Sequence, residues 1–247
     1  MTALILALLA GAVVGLALGG LGGGGSVLAV PALIYLLGFT PAQATTASLL
    51  IVTLTSVTAL VGHTRDGHVV WRTGLLFAAA GIVPAMLAGA AAGHLPQTAL
   101  TAAFAVIATV AALRMLRPSR AAATGPVRPG RAGAAGAGLG AVTGFLGVGG
   151  GFLAVPALVG VVGVPMRRAV GTSLLVITVN SLAALGARAG TGTHLDWAVV
   201  APFTAAAVLG AWDGKRLSAR LDGDTLQRLF AYVLLAVAAF MLIDALA

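Results

Sequence analysis

The 247-residue sequence contains no cysteine, which excludes disulfides, thiolate metal centres and cysteine nucleophiles. Charge is scarce as well: only 8% of residues are charged, and Asp and Glu together number 6. With 60% hydrophobic residues and a mean hydropathy of +1.07, too little polar surface remains to cover a soluble globule. The 4 histidines are scattered, without i,i+4 or H-E-x-x-H spacing. Acidic residues do not pair inside an apolar block, and no G-x-S-x-G elbow or Walker motif occurs. Enzymatic chemistry has no constellation to work with, ATP hydrolysis by this chain is excluded as an energy source, and no cofactor or metal is called for. Gly20 to Gly25 satisfies G-x-G-x-x-G literally, but no strand precedes it and no acidic residue follows about 20 positions later, so the dinucleotide reading fails.

What is present comes in apolar blocks, at roughly 4–20, 26–38, 45–62, 72–93, 97–116, 134–147, 152–164, 170–187, 197–213 and 226–246. The longer ones approach the roughly 20 residues that cross a hydrocarbon core as a helix, and the alternation of a membrane barrel is missing. The sequence therefore predicts an all-α membrane protein of eight to ten hydrophobic segments in a lipid bilayer. Met1 to Leu18 lacks a basic leader and a clear cleavage site and is read as mature structure. The net charge of +8 resides in short connections with no continuous basic face, so nucleic acid is not an expected partner. A homo-oligomer is left open.

The chain repeats itself. Shifted by 125 positions without a gap, Gly22–Gly62 falls on Gly147–Ala187 with 18 of 41 residues identical, including LAVPAL with its proline and the Ser-Leu-Leu at Ser48 and Ser173. Residues 117–131, RPSRAAATGPVRPGR, form the one polar Pro- and Arg-rich stretch of linker length. They divide the chain into a first repeat, 1–116, and a second, 132–247. Basic residues favour the cytoplasmic side, which places this linker inside together with the loops bearing Arg65 and Arg72, Arg167 and Arg168, and Lys215, Arg216 and Arg220. Both termini then lie outside, with Arg188 the one dissenter. The halves acquire opposite orientations if each makes an odd number of crossings, as three spanning helices plus a re-entrant hairpin or as five short ones.

Gly22, Gly23, Gly24, Gly25 and Ser26, and their counterparts Gly147, Gly149, Gly150 and Gly151, interrupt stretches too short to cross fully. A helix break at membrane depth is tolerated only where protein or a water-filled cavity shelters the backbone. The half-helix beginning there presents N–H groups and a positive dipole end, which suits an anion near the interface of inverted repeats. Pro31 and Pro156 follow five residues beyond each cluster and weaken helical continuity further. The competing reading is close packing of helices at small residues. The next helix of each half carries hydroxyls and one amide, among them Thr46, Ser48 and Thr55, then Thr172, Ser173 and Asn180. Ser48 and Thr55 share a helical face, as do Ser173 and Asn180; their donors fit an oxyanion, although Ser and Thr also bond to their own helix. His63, Arg188 and Asp213 stand at block ends as candidates for an entrance or for proton coupling. Trp71, Trp197 and Trp212 fit an interfacial belt.

GGLGGGGSVLAVPAL followed by ATTASLL, and its echo GFLGVGGGFLAVPAL followed by AVGTSLL, resemble the signature of the TauE/SafE family of sulfite exporters. A G-x(3)-G segment late in each half, Gly89 to Gly93 and Gly210 to Gly214, adds to the likeness. The resemblance implies a cytoplasmic-membrane permease for sulfite, sulfonates or related sulfur or carboxylate anions. It implies that Gly22 to Ser26 with Thr46 and Ser48, and Gly147 to Gly151 with Thr172 and Ser173, frame the substrate. Ala47, which stands opposite Thr172, departs from that symmetry. A channel or a non-transporting assembly partner are the rival readings.

Overall fold

A computed structural model describes residues 2–92, 97–116, 129–146, 151–188 and 195–246. Among these residues there are ten α-helices and no strand: α1 Thr2–Leu21, α2 Gly24–Pro31, α3 Pro41–Arg65, α4 Trp71–Ala92, α5 Gln97–Leu116, α6 Pro129–Leu146, α7 Gly151–Ala157, α8 Met166–Arg188, α9 Trp197–Ser218 and α10 Gly223–Leu246. In lipid every backbone polar group must bond internally, and a helix does this within one segment. Six of the helices are long and apolar enough to cross a membrane. Their outward faces carry large apolar side chains such as Leu9, Val13, Met86, Leu87, Leu209 and Ile243, which is the surface lipid requires. The ten helices match the ten apolar blocks in order. α6 is already helical at Pro129, two residues inside the expected linker.

The expectation that Pro31 and Pro156 weaken helical continuity is met in a specific form. The chain stays helical through both prolines and widens into π-helical turns, Ala32–Leu36 and Leu158–Val162. Proline removes one backbone donor and crowds the carbonyl four residues back, and a wider turn relieves the crowding. Both turns end alike. Phe39 N–H donates to Leu33 O at 3.0 Å, as Val164 N–H does to Leu158 O at 2.9 Å, around left-handed Gly38 (φ 70°) and Gly163 (φ 80°). This is a Schellman-type stop, and it recurs at the 125-residue spacing of the sequence repeat.

Each half finds its helix partners in the other half. α1 packs along α9 and α4 along α6; α3 crosses α8, α2 meets α7 and α5 packs on α10. With α1–α5 matched to α6–α10, every pair maps onto itself or onto another pair when the halves are exchanged. Glycine makes the long contacts possible. A Cβ on Gly11, Gly15 or Gly19 of α1 would strike the carbonyls of Phe203, Ala207 and Ala211 of α9, one turn apart in parallel register. A Cβ on Gly136 or Gly140 of α6 would strike those of Phe77 and Gly81 of α4 in the same way. Small residues at one-turn intervals let backbones touch, which is how membrane helices associate when lipid supplies no hydrophobic drive between them.

Candidate functional site

α1 ends at Leu21 and α2 begins at Gly24, so the first glycine cluster is a break. Gly22 N–H still reaches Leu18 O at 2.9 Å, after which Gly22 turns left-handed (φ 78°), a conformation that glycine adopts without penalty. α2 then folds back along α1, with Gly25 pressed against Val14 and Leu18 and the Ala32–Leu36 turn also on α1. The first half is therefore entered through a short hairpin. In the second half α6 is described to Leu146 and α7 from Gly151; the expected break at Gly147, Gly149 and Gly150 lies outside the described residues, as do the side chains of Gly24 and Ser26.

This break meets the start of α7. A Cβ on Gly23 would strike the Gly151 carbonyl and lie 2.7 Å from the Phe152 Cα, and one on Gly22 would lie 2.5 Å from Ser173 Oγ. Gly22 and Gly23 of the first cluster are thus brought against Gly151 of the second by backbone contact between the halves, with Ser173 beside them. In this conformation the junction is closed at Gly23 and Gly151.

The predicted hydroxyls line the helices that cross behind the junction. Ser48 donates to Thr45 O at 2.9 Å and its counterpart Ser173 to Val170 O at 2.8 Å, while Thr46 donates to Ala42 O at 3.0 Å. Their hydrogens are used within their own helices, leaving lone pairs outward. Thr172 is fully buried and accepts from Val70 N–H at 3.0 Å, pinning the 66–70 connection of the first half onto α8. Its counterpart Ala47 has no hydroxyl to make such a bond. Asn180 carries a buried Oδ1 with no partner among the described residues. Sequence reasoning missed the crossing point itself, where Thr178 Oγ1 donates to Ser56 Oγ at 3.0 Å between α8 and α3. The duplication does signal it, because Thr53 and Ser56 recur as Thr178 and Ser181.

Charge gathers at one end of the bundle, close to the junction: Val170, which lines the charged pocket, also faces Gly22. There His63, Asp66 and His68 of the first half meet Arg167, Lys215 and Ser218 of the second around a pocket of about 20 Å³. His63 is buried, with its Nε2 3.1 Å from Gly19 O of α1. The single lysine, Lys215, donates to Gly62 O at 2.8 Å and pairs with Asp66 at 2.9 Å, and both bonds cross between the halves. Asp213 is exposed and loosely paired with Arg216 at 3.6 Å, and the Arg188 side chain lies outside the described residues.

The hydrogen bond from Lys215 holds the Asp66 carboxyl below the usual carboxylate range. A depressed native pKa contributes stability that is present above the unfolded value of about 3.9 and is lost as pH falls through the native one. Both groups are partly exposed, with side chains 22% and 42% accessible, so the pair contributes only about 0.2–1 kcal/mol. Lys215→Ala should therefore lower thermal stability modestly at pH 7. The gap from wild type should narrow as pH falls through the native Asp66 pKa, below which only the Gly62 bond remains to be lost; melting in detergent at successively lower pH checks this, and a gap that widens on acidification contradicts it.

A helical membrane bundle of two related halves, joined where a helix break in the first meets Gly151 of the second, is the class that this fold and junction define. The chain belongs to the sulfite exporter TauE/SafE family, whose model matches residues 7–241. It is similar to the "Probable membrane transporter protein" of Xylella fastidiosa strain 9a5c, 32% identical over 252 residues that cover 97% of this chain and 95% of the relative. The protein of the same name from strain Temecula1 is 32% identical over 251 residues with the same coverage. No solved structure matches. Family and relatives agree on a multi-pass membrane transporter.

Proposed function

We propose that the chain is a secondary transporter that moves a small anion, a sulfite, sulfonate or related organosulfur or carboxylate anion, across the cytoplasmic membrane by alternating access between two inverted repeats, 1–116 and 132–247. The observation that carries this reading is the contact of the first helix break with the second glycine cluster, Gly23 on Gly151, at the boundary between halves. Passage there requires the halves to part, which is the motion alternating access supplies. The start of α2 leaves N–H groups without intrahelical partners, a suitable environment for negative charge.

Helix directions support the inversion. The α1–α2 hairpin and the short connections 37–40 and 66–70 make α1 and α3 run one way and α2 and α4 the other. α9 is the counterpart of α4, yet it lies parallel to α1. The counterpart of α4 therefore runs against α4. The gathering of Arg167 and Lys215 at one end with the 66–68 connection supports that end as cytoplasmic and both termini as external.

Flux of labelled sulfite, sulfonates and carboxylates into proteoliposomes tests the reading. The expected result is saturable uptake that is accelerated by unlabelled anion on the opposite side. Rates no better than empty vesicles for every anion contradict it, and conductance without saturation indicates a channel.

A further inference from the structure

His63 is 5% exposed, and its environment fixes how its ring is protonated. Gly19 O, 3.1 Å from Nε2, is a carbonyl near the end of α1 and can only accept. Nε2 therefore carries the hydrogen, and Nδ1 is left as a lone-pair acceptor. That Nδ1 is buried and has no partner among the described residues. A buried acceptor without a hydrogen bond costs free energy, and a site that retains one calls for a functional account. The ring lines the pocket at the basic end, whose 20 Å³ suffices for one water molecule among polar groups.

We propose that His63 is a proton-binding site that couples proton movement to the parting of the halves; this rests on the transporter reading above. A proton delivered by water in the pocket bonds to the Nδ1 lone pair and gives an imidazolium that keeps its Nε2–H bond to Gly19. The new charge stands beside the single lysine. Lys215 is held to the residue preceding His63 by its bond to Gly62 O, and to Asp66. The groups facing His63 are Asp66 and His68 from its own end of α3 and the following connection, with ring centroids of the two histidines 6.2 Å apart, Lys215 from α9 and Arg167 from α8. α1 offers only the Gly19 carbonyl. Two of these neighbours are cations and one is an anion, so an imidazolium at His63 is repelled by Lys215 and Arg167 and attracted to Asp66, for which it competes with Lys215. The tie at Gly62 and Asp66, which joins the halves at this end, loosens. At the other end of the ring the proton strengthens the hold on Gly19, three residues before the break at Gly22. One residue thus links the pocket, the inter-half tie and the helix break.

The test combines a structural and a functional readout on the full chain in lipid. In nanodiscs with 15N-histidine, four imidazoles are assigned by His→Gln variants. The expected His63 spectrum shows an Nε2–H tautomer in alkaline buffer and protonation of Nδ1 on acidification. In proteoliposomes loaded with methanesulfonate, sulfite or acetate, a one-unit pH gradient should sustain up to about tenfold accumulation of a transported anion, since one unit is 1.36 kcal/mol. His63→Gln keeps a donor for Gly19 but cannot take the proton, and accumulation should fall to about onefold. An Nδ1–H tautomer, a His63 ring that stays neutral on acidification, or tenfold accumulation by His63→Gln would each overturn the proposal. Should His63→Gln fail to fold, the wild-type tautomer and titration decide it, because assignment then rests on variants of the other three histidines. Titration as stated with no flux of any anion would uphold the proton site and tell against the transporter reading.

Discussion

Gly15→Leu and Gly140→Leu should each abolish the recovery of folded, monodisperse protein, and by a similar amount. Both positions sit where one helix touches the backbone of its partner, Gly15 on the Ala207 carbonyl and Gly140 on the Gly81 carbonyl. No rotamer relieves the clash, because the first atom of any side chain already meets main chain. Overpacking ordinarily costs about 1–3 kcal/mol where side chains can shift; here two helices must separate along their length. A domain holding about 5–15 kcal/mol in total has little to spare. Gly138→Leu is the matched control: it lies on the same helix as Gly140, with open space where its Cβ would be, and should be tolerated. Size-exclusion chromatography in detergent reads the result. Because Gly15 and Gly140 occupy equivalent positions 125 residues apart, failure of one with tolerance of the other would contradict the exchange symmetry of the two halves.

Gly23→Ala is the smallest change with a large functional consequence. A methyl group there enters the Gly151 carbonyl and approaches the Phe152 Cα at 2.7 Å. Gly23 and Gly151 can accommodate it only by moving apart, which shifts the balance between closed and open junctions. Strain of about 1–3 kcal/mol against the closed state changes its population by roughly 5- to 150-fold. Anion flux, which needs both states, should fall at least about tenfold while the protein remains folded. Flux in proteoliposomes together with a thermal melt separates the effects. Wild-type flux from a folded Gly23→Ala protein would show that this contact takes no part in transport.

Much of this organisation is legible in the residues because it depends on local chemistry. The ten helices follow from apolar blocks of membrane length, and the first break follows from Gly22 to Ser26 interrupting one of them. Pairing between halves is harder to read. Gly11, Gly15 and Gly19 form a one-turn stripe, but in a chain with 35 glycines the stripe does not announce α9 as its partner. Phe77 and Phe203 look like ordinary core residues, yet their carbonyls are what Gly136 and Gly11 touch. His63 reads as a residue at a block end, whereas the fold buries it by bringing α1 and Lys215 against α3. Those contacts join positions 44 and 153 residues apart, beyond any local pattern. The hydroxyl-rich faces were visible too, but whether each hydroxyl serves its own helix, as Ser48 and Ser173 do, depends on rotamers that composition does not specify. Thr172 is the exception with a distant partner, and its role in holding Val70 becomes apparent only once α8 and the 66–70 connection are side by side.

The central claim is that an anion passes where the first helix break meets Gly151. Its most direct test is a structure of the protein in lipid with selenate, whose selenium marks the position of an oxyanion by anomalous scattering. The account predicts selenate at the start of α2, within hydrogen-bonding distance of backbone N–H groups in the 24–26 segment, with Gly23 and Gly151 parted to admit it. Selenate bound only beside Lys215 and Arg167, with Gly23 still against Gly151, would contradict it.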